Sequence, residues 1–261
     1  MYRQELDIRR RVYGPQDLET LKTKIDLASL LDDETREAAA EQLMGEVLEG
    51  YRRVQGPLHP DTLAAMNILG VILQHEQRYA ESENVLREAL EAQRRVLGPE
   101  HYDTLGTTMN LAMTLTNENR YPEAIALERG MLEIMRRVRG PEHPETVKML
   151  QALGDTLTAA EQYSEGEKLL REAVNSLHRI LGPESPDAAD SMSDLARLLA
   201  LTHRSDEALS LLQQAVEHGL APSGDLAIEQ HPDFKSLRGN PRFQVIVDEA
   251  KQRAAVAQQL K

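Results

Sequence analysis

The sequence predicts an all-α protein built as a solenoid of antiparallel helix pairs. Three observations predict it: a fixed internal period, Gly-Pro dipeptides that mark the period, and a core almost without aromatic residues. The chain has 261 residues but only two Phe, seven Tyr and no Trp, so Leu, Ala, Met, Val and Ile must form its core. With 28% charged residues, this composition suits closely packed helices better than a β-sandwich or barrel.

Five Gly-Pro dipeptides follow one another at a constant spacing of 42 residues, without one insertion. They are Gly14-Pro15, Gly56-Pro57, Gly98-Pro99, Gly140-Pro141 and Gly182-Pro183. A period of about 20 to 50 residues indicates stacked supersecondary units. We therefore number five repeats from these glycines, and a residue's position is its distance in sequence from the Gly of its repeat.

The same apolar pattern follows the Gly of every repeat. A Leu stands at position 13, a small residue at position 14 and a second Leu at position 17. In repeat 2 these residues are Leu69, Gly70 and Leu73, and their spacing places them on one face of a helix. A small residue beside a large one lets a second helix approach closely, so each repeat is expected to contain two packed helices.

Helix start and stop signals delimit this pair in repeat 2. The first helix is expected to start at residues 59–62, where a Pro stands in the first turn and an acid lies at the positive end of the helix dipole. The second is expected to begin near Tyr79 and to end at Gly98-Pro99. His59, His101 and His143 share one position, and we interpret them as structural residues at the starts of the first helices.

These residues resemble the framework of tetratricopeptide repeats, with Leu in place of the aromatic residues. The pattern that carries the resemblance is Met66-x-x-Leu69-Gly70-x-x-Leu73, followed by Ser82, Leu86 and Ala89. The period of 42 residues, against the usual length of about 34, is similar to the longer repeats of kinesin light chains and of many bacterial multidomain proteins. So is the linker from Leu97 to His101. The resemblance implies a right-handed superhelical solenoid that binds other proteins.

The two ends of the chain depart from the period. Residues 2–13 align with residues 86–97, so residues 1–13 are expected to be part of a preceding repeat. We expect a solenoid over residues 1–218, with the five repeats in 14–218, and capping helices over 219–261. The chain is expected to be a fragment of a longer protein, with a lone helix that caps the N-terminus as the alternative. The apolar face left at its start suggests an end-to-end homodimer.

The tail from His231 to Phe243 predicts a short helix, a turn and a last helix from Pro241 to about Gln258. It resembles the closing segment of tetratricopeptide regions behind bacterial serine/threonine kinase and cyclase domains. This resemblance implies an alternative function, in which the chain is a regulatory or sensory region of a larger bacterial signalling enzyme.

Composition limits the possible partners and cellular locations of the protein. A formal net charge of -13 disfavours nucleic acid, because binding to the phosphate backbone needs an excess of Lys and Arg. No apolar run is long enough for a membrane span or a signal peptide, so we expect a soluble, cytoplasmic protein. The chain has no Cys and therefore neither a disulfide framework nor a thiolate metal site.

No sequence motif supports catalysis. There is no phosphate-binding loop, nucleophile elbow, His-Glu-x-x-His zinc motif or calcium loop. The three linker histidines fall one per repeat, about 10 Å apart along the stack, which is too far for a shared metal. We therefore expect no enzyme activity, no metal and no cofactor, although an unrecognised active site stays an open alternative.

Paired basic residues recur near the end of each second helix. They are Arg10-Arg11, Arg52-Arg53, Arg94-Arg95, Arg136-Arg137 and His178-Arg179. Cations there complement the negative end of the helix dipole and lie near acids of the next linker, such as Glu100 or Glu142. This favours a structural ridge, with binding of phosphate or acidic partners as the alternative.

The main candidate site is the groove. In tetratricopeptide repeats the first helices line the concave face, at positions close to 8, 11, 12 and 15. The resemblance therefore implies seven groove residues that contact a partner protein or an extended peptide: Asn67, Val71, Met109, Asn110, Met113, Lys148 and Gln151. Amides can bond a peptide's N–H and C=O groups together, and Met adapts to an apolar side chain.

Known ligands do not carry over with the resemblance. Kinesin light chain repeats contact cargo through the Asn residues of a Leu-Asn-Asn-Leu-Ala run, of which Asn67 matches the first and Asn110 the second. Their basic groove residues are largely missing here, and Lys148 is the main one that remains. The clamp that binds chaperone tails in other tetratricopeptide proteins is matched at two of its five residues. The sequence thus predicts a peptide-binding scaffold without naming its partner.

Overall fold

The computed structural model describes residues 2–33, 36–220 and 228–259. All its regular elements in these ranges are helical: α1 (Tyr2–Val12), α2 (Leu18–Asp33), α3 (Glu37–Val54), α4 (Pro60–His75), α5 (Tyr79–Val96), α6 (Tyr102–Asn117), α7 (Tyr121–Val138), α8 (Pro144–Ala159), α9 (Tyr163–Leu181), α10 (Pro186–Leu201), α11 (Ser205–Glu217), a 3₁₀ helix (Pro232–Leu237) and α12 (Pro241–Gln259). The predicted all-α class is confirmed. Over the same ranges, no helix combines the length and the apolar composition needed to cross a membrane.

Tight turns join the two helices within a repeat. After α4 the backbone turns at Gln77, which has a φ of 59°, and the amide of Arg78 donates to the carbonyl of Leu73 at 2.9 Å. Equivalent turns follow α6, α8 and α10, with positive φ at Asn119, Glu161 and His203. The 6→1 hydrogen bond is that of a Schellman motif, which usually has Gly at this place. The turns therefore reverse the chain without the glycine signal by which sequence analysis would find them.

The linkers between repeats use the Gly-Pro dipeptide and a capping histidine. Gly56 has a φ of 96°, a left-handed conformation that favours glycine, and its carbonyl accepts a hydrogen bond from Thr62 Oγ1 at 2.8 Å. His59 Nδ1 accepts a hydrogen bond from the Asp61 amide at 3.2 Å, which caps α4. His101, His143 and His231 cap their helices in the same way. The structural role predicted for the linker histidines is confirmed.

Replacing a capping histidine is expected to destabilise the fold modestly. His101→Ala leaves the Asp103 amide without the ring nitrogen that lies 3.2 Å away. Loss of an N-cap costs about 1 kcal/mol, so thermal denaturation should show a lower midpoint. His101→Asn keeps an acceptor at the cap and should retain most of the stability. If the Ala and Asn variants have the same midpoint of thermal denaturation, the histidine does not act as a cap.

Contacts divide the chain into two units, residues 1–127 and 128–261. In the N-terminal unit, α1 packs on α2, α2 pairs with α3, and α4 pairs with α5, which also contacts α6. Gly70 of α4 is buried against Leu86 of α5 so closely that an added Cβ would lie 2.5 Å from the Leu side chain. The close approach predicted from small residues at position 14 is thus confirmed. On α1 and just after it, Ile8, Val12 and Tyr13 stay exposed.

In the C-terminal unit, α8 pairs with α9 and α10 with α11. The 3₁₀ helix packs on α10, and α12 packs on α11. Phe234 and Phe243, the only Phe residues of the chain, are buried with ring centroids 5.9 Å apart. The elements predicted for residues 231–258 are confirmed, whereas residues 221–227 of the predicted cap lie outside the described ranges. The capping role of this tail stays a prediction.

Candidate functional site

Two asparagines predicted for the groove meet in the N-terminal unit. Asn67 lies on α4 and Asn110 on α6, the first helices of repeats 2 and 3. Asn110 Nδ2 donates a hydrogen bond to Asn67 Oδ1 at 2.9 Å, and both side chains are half-buried. We call these two residues the amide pair. Consecutive repeats thus place one groove asparagine each side by side.

Buried polar contacts hold α6 against α4 beside the amide pair. Gln74 Nε2 of α4 donates to the backbone carbonyl of Asn110 at 2.6 Å and also to Thr114 Oγ1. Thr114 Oγ1 in turn donates to the Asn110 carbonyl at 2.9 Å. These contacts fix the register of the two helices, because buried donors and acceptors must be satisfied together.

The amide pair keeps hydrogen-bonding capacity for a ligand. Within the described residues, the side-chain amino group of Asn67 and the Oδ1 of Asn110 have no partner. Val71 and Met109 are close in sequence to the amide pair and are half-buried. Met113 is 50% exposed. The site can therefore offer a donor, an acceptor and apolar surface, which is what an extended peptide segment requires.

The other two predicted residues belong to the C-terminal unit. Lys148 and Gln151 both lie on α8. Lys148 is exposed and forms no ion pair in the part of the chain that the structure describes, and Gln151 is half-buried. The seven predicted residues are thus divided between the units, with five of them on α4 and α6.

Sequence analysis missed a charged cluster in the C-terminal unit. Its centre is Arg197 of α10, whose guanidinium lies 3.0 Å from Asp194 and 3.1 Å from Asp233 of the 3₁₀ helix. Asp155 of α8 lies 3.9 Å from the same guanidinium, and its Oδ1 is buried without a hydrogen bond in the described residues. Three carboxylates therefore surround one guanidinium.

Burial shifts the titration of this cluster. It raises the pKa of Asp155, as does the charge of Asp194. Burial also raises the pKa of Asp194, although Arg197 opposes that change. The pKa of His231 is lowered by burial and then by Arg197. A cluster with more acids than bases disfavours full ionisation, so its carboxyl groups take up protons more readily than free ones.

A signal for part of this cluster was present in the sequence. Asp194 and Arg197 stand at positions 12 and 15 of repeat 5, which are among the groove positions used in repeats 2 to 4. Extending the same count by one repeat would have found them. Asp233 follows the last repeat and carries no such signal. No group of three or more His, Asp or Glu in the described residues is arranged to hold a metal ion.

Comparison with known proteins agrees with this architecture. Sequence models of the tetratricopeptide repeat match residues 20–61, 61–129, 103–177 and 157–218. The chain belongs to the tetratricopeptide repeat family. No curated protein sequence matches this tetratricopeptide protein.

Solved structures with the same fold include kinesin-light-chain-like repeats. One is a kinesin light chain candidate from Podospora anserina, whose repeats are nearly identical to one another. It is 24% identical to this protein, with a TM-score of 0.70 over 76% of this chain and 94% of that one. BtubC from P. vanneervenii is 18% identical, with a TM-score of 0.58 over 91% and 92%. A Rap protein, solved in complex with competence and sporulation factor, is 12% identical, with a TM-score of 0.63 over 81% and 58%. The fold of this tetratricopeptide protein is therefore shared with these structures.

Proposed function

We propose that this tetratricopeptide protein is an interaction scaffold that binds an extended peptide across the first helices of repeats 2 and 3. The observation that carries the proposal is the amide pair, in which Asn110 donates to Asn67 at 2.9 Å. The family itself supports a protein-interaction scaffold. The complex of the Rap protein with competence and sporulation factor offers a precedent for ligand binding on this fold.

The amide pair suits a peptide backbone better than a particular side chain. A peptide in an extended conformation presents an N–H and a C=O group at each residue, and both need partners when they leave water. Asn67 supplies a donor and Asn110 an acceptor, while their mutual hydrogen bond restricts the rotamers of both side chains. Met113 is exposed on the same helix as Asn110 and can adapt to an apolar residue of the peptide.

Removing both amides is expected to weaken peptide binding. A library of short random peptides displayed on phage would first be selected against the wild-type chain, and the best peptide would be synthesised. Its affinity for Asn67→Ala/Asn110→Ala should fall by about tenfold or more, because two backbone groups of the peptide lose their partners. Fluorescence anisotropy measures this change.

A matched double variant separates the site from a general effect of asparagine. Asn84 of α5 and Asn117 of α6 are both exposed in the N-terminal unit. Asn84→Ala/Asn117→Ala should bind the selected peptide as the wild type does. Equal binding by the wild type and by the Asn67/Asn110 double variant would show that the peptide occupies another surface.

A further inference from the structure

A pocket lies in the N-terminal unit, between α5, α6 and α7. Its volume is about 420 Å³. Leucines form its apolar part and charged residues of α5 line the rest: Leu90, Leu111, Leu127, Arg87, Glu91, Arg94 and Arg95. Three guanidinium groups and one carboxylate thus stand beside the leucines, in a protein whose net charge is -13. We call it the arginine pocket.

Two of the three arginines are already neutralised by neighbouring acids. Arg87 pairs with Glu83 at 2.7 Å and with Glu123 at 3.0 Å. Arg95 pairs with Glu91, four residues before it on the same helix. Arg94 is exposed and has no ion pair or hydrogen-bonding partner among the residues that the structure describes. Arg94 is therefore the cation of the pocket that is available to a ligand.

The repeat pattern shows what Arg94 lacks. Arg52 occupies the same position in the preceding repeat and lies 3.9 Å from Glu88. Arg136 occupies it in the following repeat and lies 2.6 Å from Glu172. In both pairs the Glu stands 36 residues after the Arg. Thirty-six residues after Arg94 the sequence has Gly130, which offers no side-chain carboxylate.

We propose that the arginine pocket binds an acidic peptide segment, in which a Glu or Asp carboxylate pairs with Arg94 and a neighbouring apolar side chain lies against the leucines. A guanidinium binds a carboxylate through two parallel hydrogen bonds, which makes this pairing both strong and directional. Leu90 and Leu111 are buried and Leu127 is half-buried, so the apolar part of the pocket is preformed. A volume of about 420 Å³ lies within the range of protein ligand pockets, roughly 300 to 1,000 Å³.

This surface is separate from the amide pair. The arginine pocket takes all its charged residues from α5, a second helix, whereas the amide pair lies on the first helices α4 and α6. Binding at one can therefore fail while binding at the other persists. The pocket also refines the interpretation of the paired basic residues, because Arg52, Arg53, Arg95 and Arg136 pair with helix acids whereas, among the described residues, Arg94 does not.

The test uses NMR spectroscopy of the full chain with labelled Leu methyl groups and Arg side chains. The probe is the capped peptide Ser-Leu-Glu-Ser, and the comparison peptides are Ser-Leu-Gln-Ser and Ser-Leu-phosphoserine-Ser. We expect the Glu peptide to shift the Leu127 methyl and Arg94 Nε signals to saturation. The Gln peptide should bind about tenfold more weakly, because it lacks the charge.

Variants assign the binding to Arg94. Arg94→Ala should reduce the affinity for the Glu peptide about tenfold, and since Arg94 is exposed, the variant is expected to keep the wild-type circular dichroism spectrum. Arg52→Ala removes the same charge at the equivalent position and should leave the affinity unchanged. Equal affinity of the wild type and Arg94→Ala would overturn the proposal. So would equal binding of the Gln peptide, or binding of the phosphoserine peptide alone.

Discussion

At pH 8, the Glu128→Gln variant is expected to be more stable than the wild type, and at pH 5 most of this difference in stability should be gone. Glu128 is only 3% exposed, although it occupies position 30, where repeats 2, 4 and 5 have Leu86, Leu170 and Leu212. Its Oε1 accepts a hydrogen bond from Thr156 Oγ1 at 3.0 Å, and its Oε2 has no partner within the described residues. A carboxyl group thus stands in a leucine position of the core.

The sign of the effect follows from the pKa of this carboxyl. Burial raises the pKa of Glu128 from 4.5 to about 7, although the hydrogen bond from Thr156 opposes the change. The folded chain therefore keeps a proton that the unfolded chain releases, so rising pH favours unfolding. The loss of stability begins near pH 4.5 and is complete above pH 7, where it amounts to about 3 kcal/mol. Gln keeps an acceptor for Thr156 and carries no charge, so the variant avoids this loss.

Urea denaturation of both proteins at pH 5 and pH 8, followed by circular dichroism, measures this difference. Glu133→Gln is the matched control, because Glu133 is exposed on the same helix. That variant should change stability equally at the two pH values. A Glu128→Gln variant whose advantage is the same at pH 5 and pH 8 would show that Glu128 ionises normally in the folded protein.

The second large effect is expected for Gly70→Leu, which should destabilise the N-terminal unit by about 3 kcal/mol. An added Cβ alone would lie 2.5 Å from Leu86 Cδ2 and 2.6 Å from its Cγ. Relief requires α4 and α5 to move apart, which also strains the hydrogen bond of 2.8 Å from Ser82 Oγ to the Gly70 carbonyl. A lower urea midpoint in circular dichroism would report this loss.

Gly106→Leu provides the matched control for steric crowding. Gly106 lies in the first helix α6, is exposed, and has no atom within 4 Å of an added Cβ. Leu is a better helix former than Gly, so this variant should be as stable as the wild type or up to about 1 kcal/mol more stable. If Gly70→Leu and Gly106→Leu had the same midpoint, close helix packing would not be the reason for glycine at residue 70.

The candidate site was predictable in part. Counting positions from each Gly identified Asn67 and Asn110 as groove amides of consecutive repeats, but it could not show that they bond to each other. Their contact depends on the stacking of α4 on α6 and on side-chain rotamers, which no period in the sequence encodes. Arg94 illustrates the reverse case. Its position was recognised as one of five paired basic sites, and its lack of a partner emerged only when the ion pairs of Arg52 and Arg136 were located.

By itself, the sequence determined the class, the order and the approximate ends of the helices in this protein. A period of 42 residues places Leu, a small residue and Leu on one face five times, and burial of that face against its neighbours is the dominant favourable contribution to folding. Tertiary structure alone decided which polar groups meet: the amide pair, the three carboxylates around Arg197, and Glu128 in a leucine position. Polar contacts between different repeats are made or lost by displacements of well under about 1 Å, whereas hydrophobic burial is non-directional and tolerates such displacements.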